Sequence, residues 1–84
     1  MTSIHEVRIF RLFADHPAKW FSNAEVATKA KVAARTARLY TLRLAKAGVL
    51  DQVEMFPGYR FQLAKKPKAA YLAEMKKAAE VFGL

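Results

Sequence analysis

The chain has 84 residues, 54% of them hydrophobic and 26% charged, with fifteen Lys/Arg against seven Asp/Glu and a formal charge of +8. This is the composition of one small globular domain, and it excludes low-complexity, collagen-like and disordered chains. With no cysteine, a disulfide framework, a thiolate metal site and a cysteine nucleophile are excluded as well.

No apolar run approaches the roughly 18 residues of a membrane span, and the first thirteen residues carry Glu6, Arg8 and Arg11 rather than a signal-peptide core. A soluble, cytoplasmic, nucleoid-associated domain is expected, and Met1 and Leu84 fit the ends of a complete small protein.

The first element opens on Ser3-Ile4-His5-Glu6, the spacing of a capping box in which the Ser side chain and Glu6 each satisfy the other's backbone amide. A helix over about 4–15 follows, stopped by His16-Pro17, because a residue before proline avoids helical angles. Its apolar residues Val7, Ile9, Phe10, Leu12, Phe13 and Ala14 spread over roughly 220° of the helix, about twice the width of a single buried stripe. This helix is therefore expected to be covered on two sides.

Trp20-Phe21 reads as a short edge strand, with both rings assigned to the core. Ser22-Asn23-Ala24-Glu25 is a second capping box, opening a short helix to Ala30. Lys31, Val32 and Ala33 form a turn. A third helix over about 34–47 ends at Gly48, a residue type suited to a left-handed C-terminal position.

From Val49 to Leu63 the period changes to two, which predicts a β-hairpin. Taking Val53, Met55, Tyr59, Phe61 and Leu63 as one apolar face requires a three-residue loop, Phe56-Pro57-Gly58. That loop pairs Met55 with Tyr59 and Val53 with Phe61, and sets Gly58 left-handed. Residues 64–68 read as a basic linker. A final amphipathic helix over about 69–82 gathers Tyr71, Leu72, Met75, Ala78, Ala79 and Phe82 on one side. That stripe needs a partner, and the surplus apolar face of the first helix (Ile9, Leu12) is the candidate, within the chain or across a dimer.

The positive charge is local. Residues 29–46 hold Lys29, Lys31, Arg35, Arg38, Arg43 and Lys46 without an acid, and residues 60–68 add Arg60, Lys65, Lys66 and Lys68, again without one. Such clustering suits a polyanionic partner. Catalysis finds no support: His5 and His16 stand three turns apart with no ligand-spaced carboxylate, and there is no glycine-rich phosphate loop. No cofactor and no metal are expected.

The order helix, helix, turn, helix, hairpin resembles the winged helix-turn-helix family of small bacterial, archaeal and phage regulators. The resemblance covers about residues 4–63. It rests on Ser22-Asn-Ala-Glu-Val-Ala27, on Thr36-Ala-Arg-Leu-Tyr-Thr-Leu-Arg-Leu44, on Leu44-Ala-Lys-Ala-Gly-Val-Leu50 running into the hairpin, and on Tyr59-Arg-Phe-Gln-Leu63.

It implies a mainly α fold with a small β-hairpin: a three-helix core and two-stranded wing over residues 1–63, then the linker and C-terminal helix over 64–84. It also implies double-stranded DNA as partner, a homodimer, no membrane, and the work of a small transcriptional regulator, most simply a repressor. A DNA-binding accessory factor in recombination, transposition or replication is the neighbouring alternative. A protein-interaction module using Leu39, Leu42 and Phe56 is the alternative of a different class.

Residue types allocate the contacts. Ala37, Tyr40, Thr41, Leu44 and Ala47 share an arc of the third helix that can face the core. Arg35, Thr36, Arg38 and Leu39, in its N-terminal half, are placed to meet base edges in a major groove; guanidinium groups can pair bidentately with guanine, and Leu39 can touch a thymine methyl. Lys31, Arg43, Lys46, Arg60, Lys65, Lys66 and Lys68 suit phosphates.

Four positions depart from the family pattern. Lys31 stands where glycine is common, and a left-handed lysine costs about 1–2 kcal/mol, so a different turn is expected. Ala33 leaves the third helix without a side-chain cap. Leu39 and Leu42 stand where polar residues are commoner, and Leu42 is expected to tuck under the hairpin.

Overall fold

A computed structural model describes residues 3–84; Met1 lies outside them. The elements run α1 (Ile4–Asp15), β1 (Phe21–Ser22), α2 (Asn23–Ala30), α3 (Ala34–Lys46), β2 (Leu50–Met55), β3 (Gly58–Leu63) and α4 (Ala69–Phe82). Four helices and a three-stranded antiparallel sheet of order β1-β3-β2 make a mainly α fold with a small hairpin.

Both predicted N-caps form, but differently. Ser22 accepts from the Glu25 amide and Glu25 accepts from the Ser22 amide, closing the box at α2. At α1 Ser3 accepts from the Glu6 amide, while the Glu6 carboxylate accepts instead from the Tyr71 hydroxyl of α4 at 3.1 Å. The Ser3 hydroxyl in turn donates to Tyr40 of α3 at 2.8 Å, so the start of α1 is tied to two other helices.

The broad apolar surface of α1 is covered on more than one side. Val7, Ile9 and Phe13 are fully buried among Phe21, Val26, Ala37, Leu44, Val49, Leu50 and Phe61, and Met75 of α4 belongs to the same cluster. α4 packs on α1 within the chain, with the Phe10 and Tyr71 rings edge-on at 5.6 Å. Its stripe is only partly covered: Met75 is buried and Tyr71 half-buried, whereas Leu72 and Phe82 remain exposed. Trp20 departs from its core assignment. It precedes the edge strand β1 and is 40% exposed, while Phe21 turns inward against Phe13 at 5.4 Å.

The hairpin register corrects the expectation. Met55 pairs with Gly58, Val53 with Arg60, Gln52 with Phe61 and Leu50 with Leu63, so the loop is the two residues Phe56-Pro57, joined by a cis peptide bond. The reason is which residue anchors β2. Leu50 is buried, as is Phe61, and an even and an odd position share a face only in a register of this parity. Val53 and Met55 lie on the opposite face with Arg60. Gly58 has no positive φ; the left-handed glycines are Gly48 and Gly83.

The turn between α2 and α3 keeps the strained geometry that Lys31 was expected to avoid. Lys31 sits at φ 58°, ψ 49°, and its position lets the Val32 amide reach the Ala27 carbonyl at 3.0 Å. Ala33 is the N-cap of α3 and makes no side-chain cap bond.

Candidate nucleic-acid interface

α3 is held on three sides. Ala37, Thr41 and Leu44 are buried, and Tyr40 is half-buried beneath α1. Ala47, assigned to the same arc, falls at the C-cap and is exposed. The Thr41 hydroxyl, fully enclosed, donates across 2.6 Å to Asn23 Oδ1 at the start of α2. This bond fixes how α3 leans on α2. Thr41 was legible only as a core-facing position; a polar group there needs a partner, and nothing in the spacing pointed to Asn23.

The rest of the helix circumference faces solvent. Arg35, Arg38, Leu39, Arg43 and Lys46 are exposed, with Thr36 and Leu42 half-buried. At 100° per residue, Arg38, Leu42, Arg35, Lys46, Leu39, Arg43 and Thr36 follow one another around an arc of roughly 160°. The arc is continuous and contains no acid. Leu39 is 52% exposed. Leu42 packs its inner side against the core and shares an open groove with Asn23, Arg38, Pro57, Gly58 and Tyr59. It therefore tucks toward the hairpin, and the groove joins α3 to the hairpin end on one side of the molecule.

Further cations lie outside this arc. Lys29 and Lys31 are exposed at the end of α2, where an open cleft also gathers Arg8 and Arg11 of α1 with Asp15. The Arg43 guanidinium lies over the Tyr40 ring, 5.6 Å from its centroid, which holds this charge to the flank of α3.

Lys65, Lys66 and Lys68 are exposed in the segment before α4. Arg60 is half-buried and donates to its neighbour's carbonyl, Tyr59 O, at 3.1 Å. Its charge is also shared with Glu25. The Ser22 backbone amide holds the Glu25 carboxyl below its ordinary value against the opposing effect of burial, with lesser help from the Ser22 hydroxyl, Lys19 and Arg60. Arg60 is thus less free than the exposed cations of α3.

Of the residues assigned to packing, Ile9 is fully buried and Leu12 packs on the core. Phe10, absent from that set, supplies the ring that meets Tyr71. His5 and His16 are both exposed. Among the described residues no group of three or more His, Cys, Asp and Glu is arranged to hold a metal ion, and no helix is long and apolar enough to cross a membrane.

No protein-family model matches the chain, and no curated protein sequence matches it. Its fold is shared with solved structures. The ferric uptake regulator of Francisella tularensis, solved with iron, superposes with a TM-score of 0.72 at 17% identity, over 99% of this chain and 80% of that one. A possible transcriptional regulator from Methanosarcina mazei Go1 gives 0.67 at 12% identity, over 98% and 71%. NadR in complex with 4-hydroxyphenylacetate gives 0.62 at 23% identity, over 96% of this chain and 64% of NadR. What these proteins have in common with this chain is the fold.

Proposed function

We propose that the chain is a winged helix-turn-helix protein that binds double-stranded DNA and acts as a small transcriptional regulator, most simply a repressor. The observation that carries this reading is the acid-free solvent arc of α3, on which Arg35, Arg38, Arg43 and Lys46 are exposed together. A lone surface arginine is usually a solvated charge. Four cations and no acid on one arc are an electrostatic footprint for phosphates.

An α-helix fits the DNA major groove, and side chains in its N-terminal half reach base edges most readily. Arg35, Thr36, Arg38 and Leu39 take that role, while Lys31, Arg43, Lys46, Lys65, Lys66 and Lys68 position the duplex through phosphates. Arg60 assists at the hairpin. Support also comes from the shared fold, since two of the structures above are of proteins described as regulators.

A homodimer is part of the proposal. One helix reads only a few base pairs, and two-fold symmetry doubles both the site and the phosphate contacts. The exposed Leu72, Val81, Phe82 and Leu84 at α4 offer the apolar surface for it.

Selection of binders from a random duplex library at near-physiological salt tests the reading. An enriched inverted repeat supports a dimeric sequence reader. Retention without a motif replaces sequence reading by backbone binding. No retention even at low salt overturns the DNA reading and favours a protein partner at Leu39, Leu42 and Phe56.

A further inference from the structure

Beyond Arg60 the sheet loses its third strand. β1 pairs only Phe21 with Phe61 and Ser22 with Arg60, so the stretch from Val53 to Tyr59 is a two-stranded arm held by β2–β3 pairing alone. Such an arm has no core to serve, and water favours polar residues on it. It instead carries Val53 and Met55 on one face, Tyr59 on the other and Phe56 at the tip between them, 40, 51, 41 and 96% exposed. Single exposed apolar residues are ordinary, but a cluster of large ones on a projection marks a contact surface. At 96% exposure the Phe56 ring contributes almost nothing to its own fold.

The position of the arm selects the partner. Pro57, Gly58 and Tyr59 line one open groove with Asn23, Arg38 and Leu42, so a molecule lying along α3 also meets the arm's end. The arm's one charged residue is Glu54, with Asp51 and Arg60 flanking its base, which gives it little attraction for phosphates. What it has to offer a polyanion held by α3 is apolar insertion. In a duplex the place that accepts an aromatic ring lies between stacked base pairs, and Phe, Met and Pro are residue types that act as minor-groove wedges, kinking DNA by about 20–90°.

We infer, on the reading that α3 binds duplex DNA, that the hairpin tip is an apolar wedge: Phe56, backed by Met55 and Pro57, inserts between base pairs from the minor groove and kinks the duplex there. The wedge adds a preference that α3 does not supply. Pyrimidine–purine steps such as TA open most easily, so the protein favours sites with such a step where the tip falls.

The test uses the full chain at low salt and a duplex in which every TA step carries 2-aminopurine for adenine, with donor and acceptor dyes at its ends. Binding is followed by anisotropy of the same duplex. The wild type is expected to raise 2-aminopurine fluorescence, as a base unstacks, and to raise energy transfer, as the ends approach. Phe56→Ala is expected to bind the duplex and lose both signals, whereas Phe56→Leu, which keeps an apolar wedge, retains them. Wild-type binding without either signal, or signals unchanged in Phe56→Ala, overturns the wedge and leaves DNA binding standing. Absence of binding by every variant overturns both readings. Release of a co-purifying protein by Phe56→Ala, without any effect on the duplex signals, assigns the tip to a protein contact and also overturns the wedge.

Discussion

The buried hydroxyl of Thr41 donates to Asn23 Oδ1 across 2.6 Å, joining the middle of α3 to the first turn of α2. Thr41 is fully enclosed, whereas Asn23 is only half-buried, so the bond closes one buried polar group with a partner at the edge of the core. It sets the lean of the basic helix on its neighbour, which places Arg38 and Leu42 beside the hairpin end.

Thr41→Val keeps the shape and removes the donor. The expected loss is about 1 kcal/mol of stability, the net worth of an ordinary intramolecular hydrogen bond, read as a lower urea midpoint at unchanged slope. A larger loss is expected for Thr41→Ala, which also opens a cavity.

The α2–α3 turn holds two separate opportunities for stabilisation. Lys31→Gly relieves a left-handed non-glycine residue and is expected to add about 1 kcal/mol. Ala33→Ser gives α3 the N-cap it lacks and is expected to add about 1 kcal/mol. Thermal unfolding of each variant checks both. Lys31→Gly separates stability from binding, because it also removes a cation: the protein becomes more stable while its salt dependence on DNA becomes shallower by about one unit of log–log slope.

Two groups give stability a pH dependence at opposite ends of the scale. Hydrogen bonding from Ser22 holds the Glu25 carboxyl below its ordinary value of 4.5. The folded state therefore favours the carboxylate, and this contribution is present above that value and lost as pH falls through the lower folded one. Tyr71 is displaced the other way, above its ordinary 10.0, by burial and then by the Glu6 carboxylate to which its hydroxyl donates. Its contribution is present below pH 10.0 and is lost as pH rises beyond it. Denaturant titrations at acid and alkaline pH are expected to show Glu25→Ala flattening the acid limb and Tyr71→Phe flattening the alkaline one.

The helices were legible because their signals are local. Ser22 and Glu25 mark the start of α2, His16-Pro17 ends α1, and Gly48 closes α3 in the left-handed conformation (φ 79°). The hairpin was legible as a hairpin, but its register was not. Val53 and Met55 alternate as buried residues would, yet they extend past the core, and the anchor is Leu50.

The basic arc of α3 could be read from spacing, since four bases without an acid along one helix need no tertiary information to be noticed. Long-range pairings could not. Ser3 with Tyr40, Thr41 with Asn23 and Tyr71 with Glu6 join positions whose separation follows from how helices pack rather than from any period. Trp20 and Phe56 show the same limit. Hydrophobicity alone assigns the Trp20 ring to a core, and only the course of the chain at an edge or a tip leaves such a ring in solvent.

Base and phosphate roles on α3 separate by substitution. Arg35→Ala and Arg38→Ala are expected to relax preference at individual base positions, each by roughly 1–3 kcal/mol of discrimination. Arg43→Ala and Lys46→Ala are expected to weaken binding about equally on all duplexes and to lower the salt slope by about 1 each. Competition binding with single-base variants of a selected duplex distinguishes the two patterns.

The central claim is that the acid-free face of α3 engages the phosphates of a duplex. The most direct test is the affinity of the full chain for duplex DNA, measured from 50 to 200 mM salt. Contact with about 6–10 phosphates predicts a fall of roughly 10³–10⁵-fold across that range, linear on a log–log plot. No measurable binding at 50 mM salt, or an affinity that stays flat as salt rises, would contradict it.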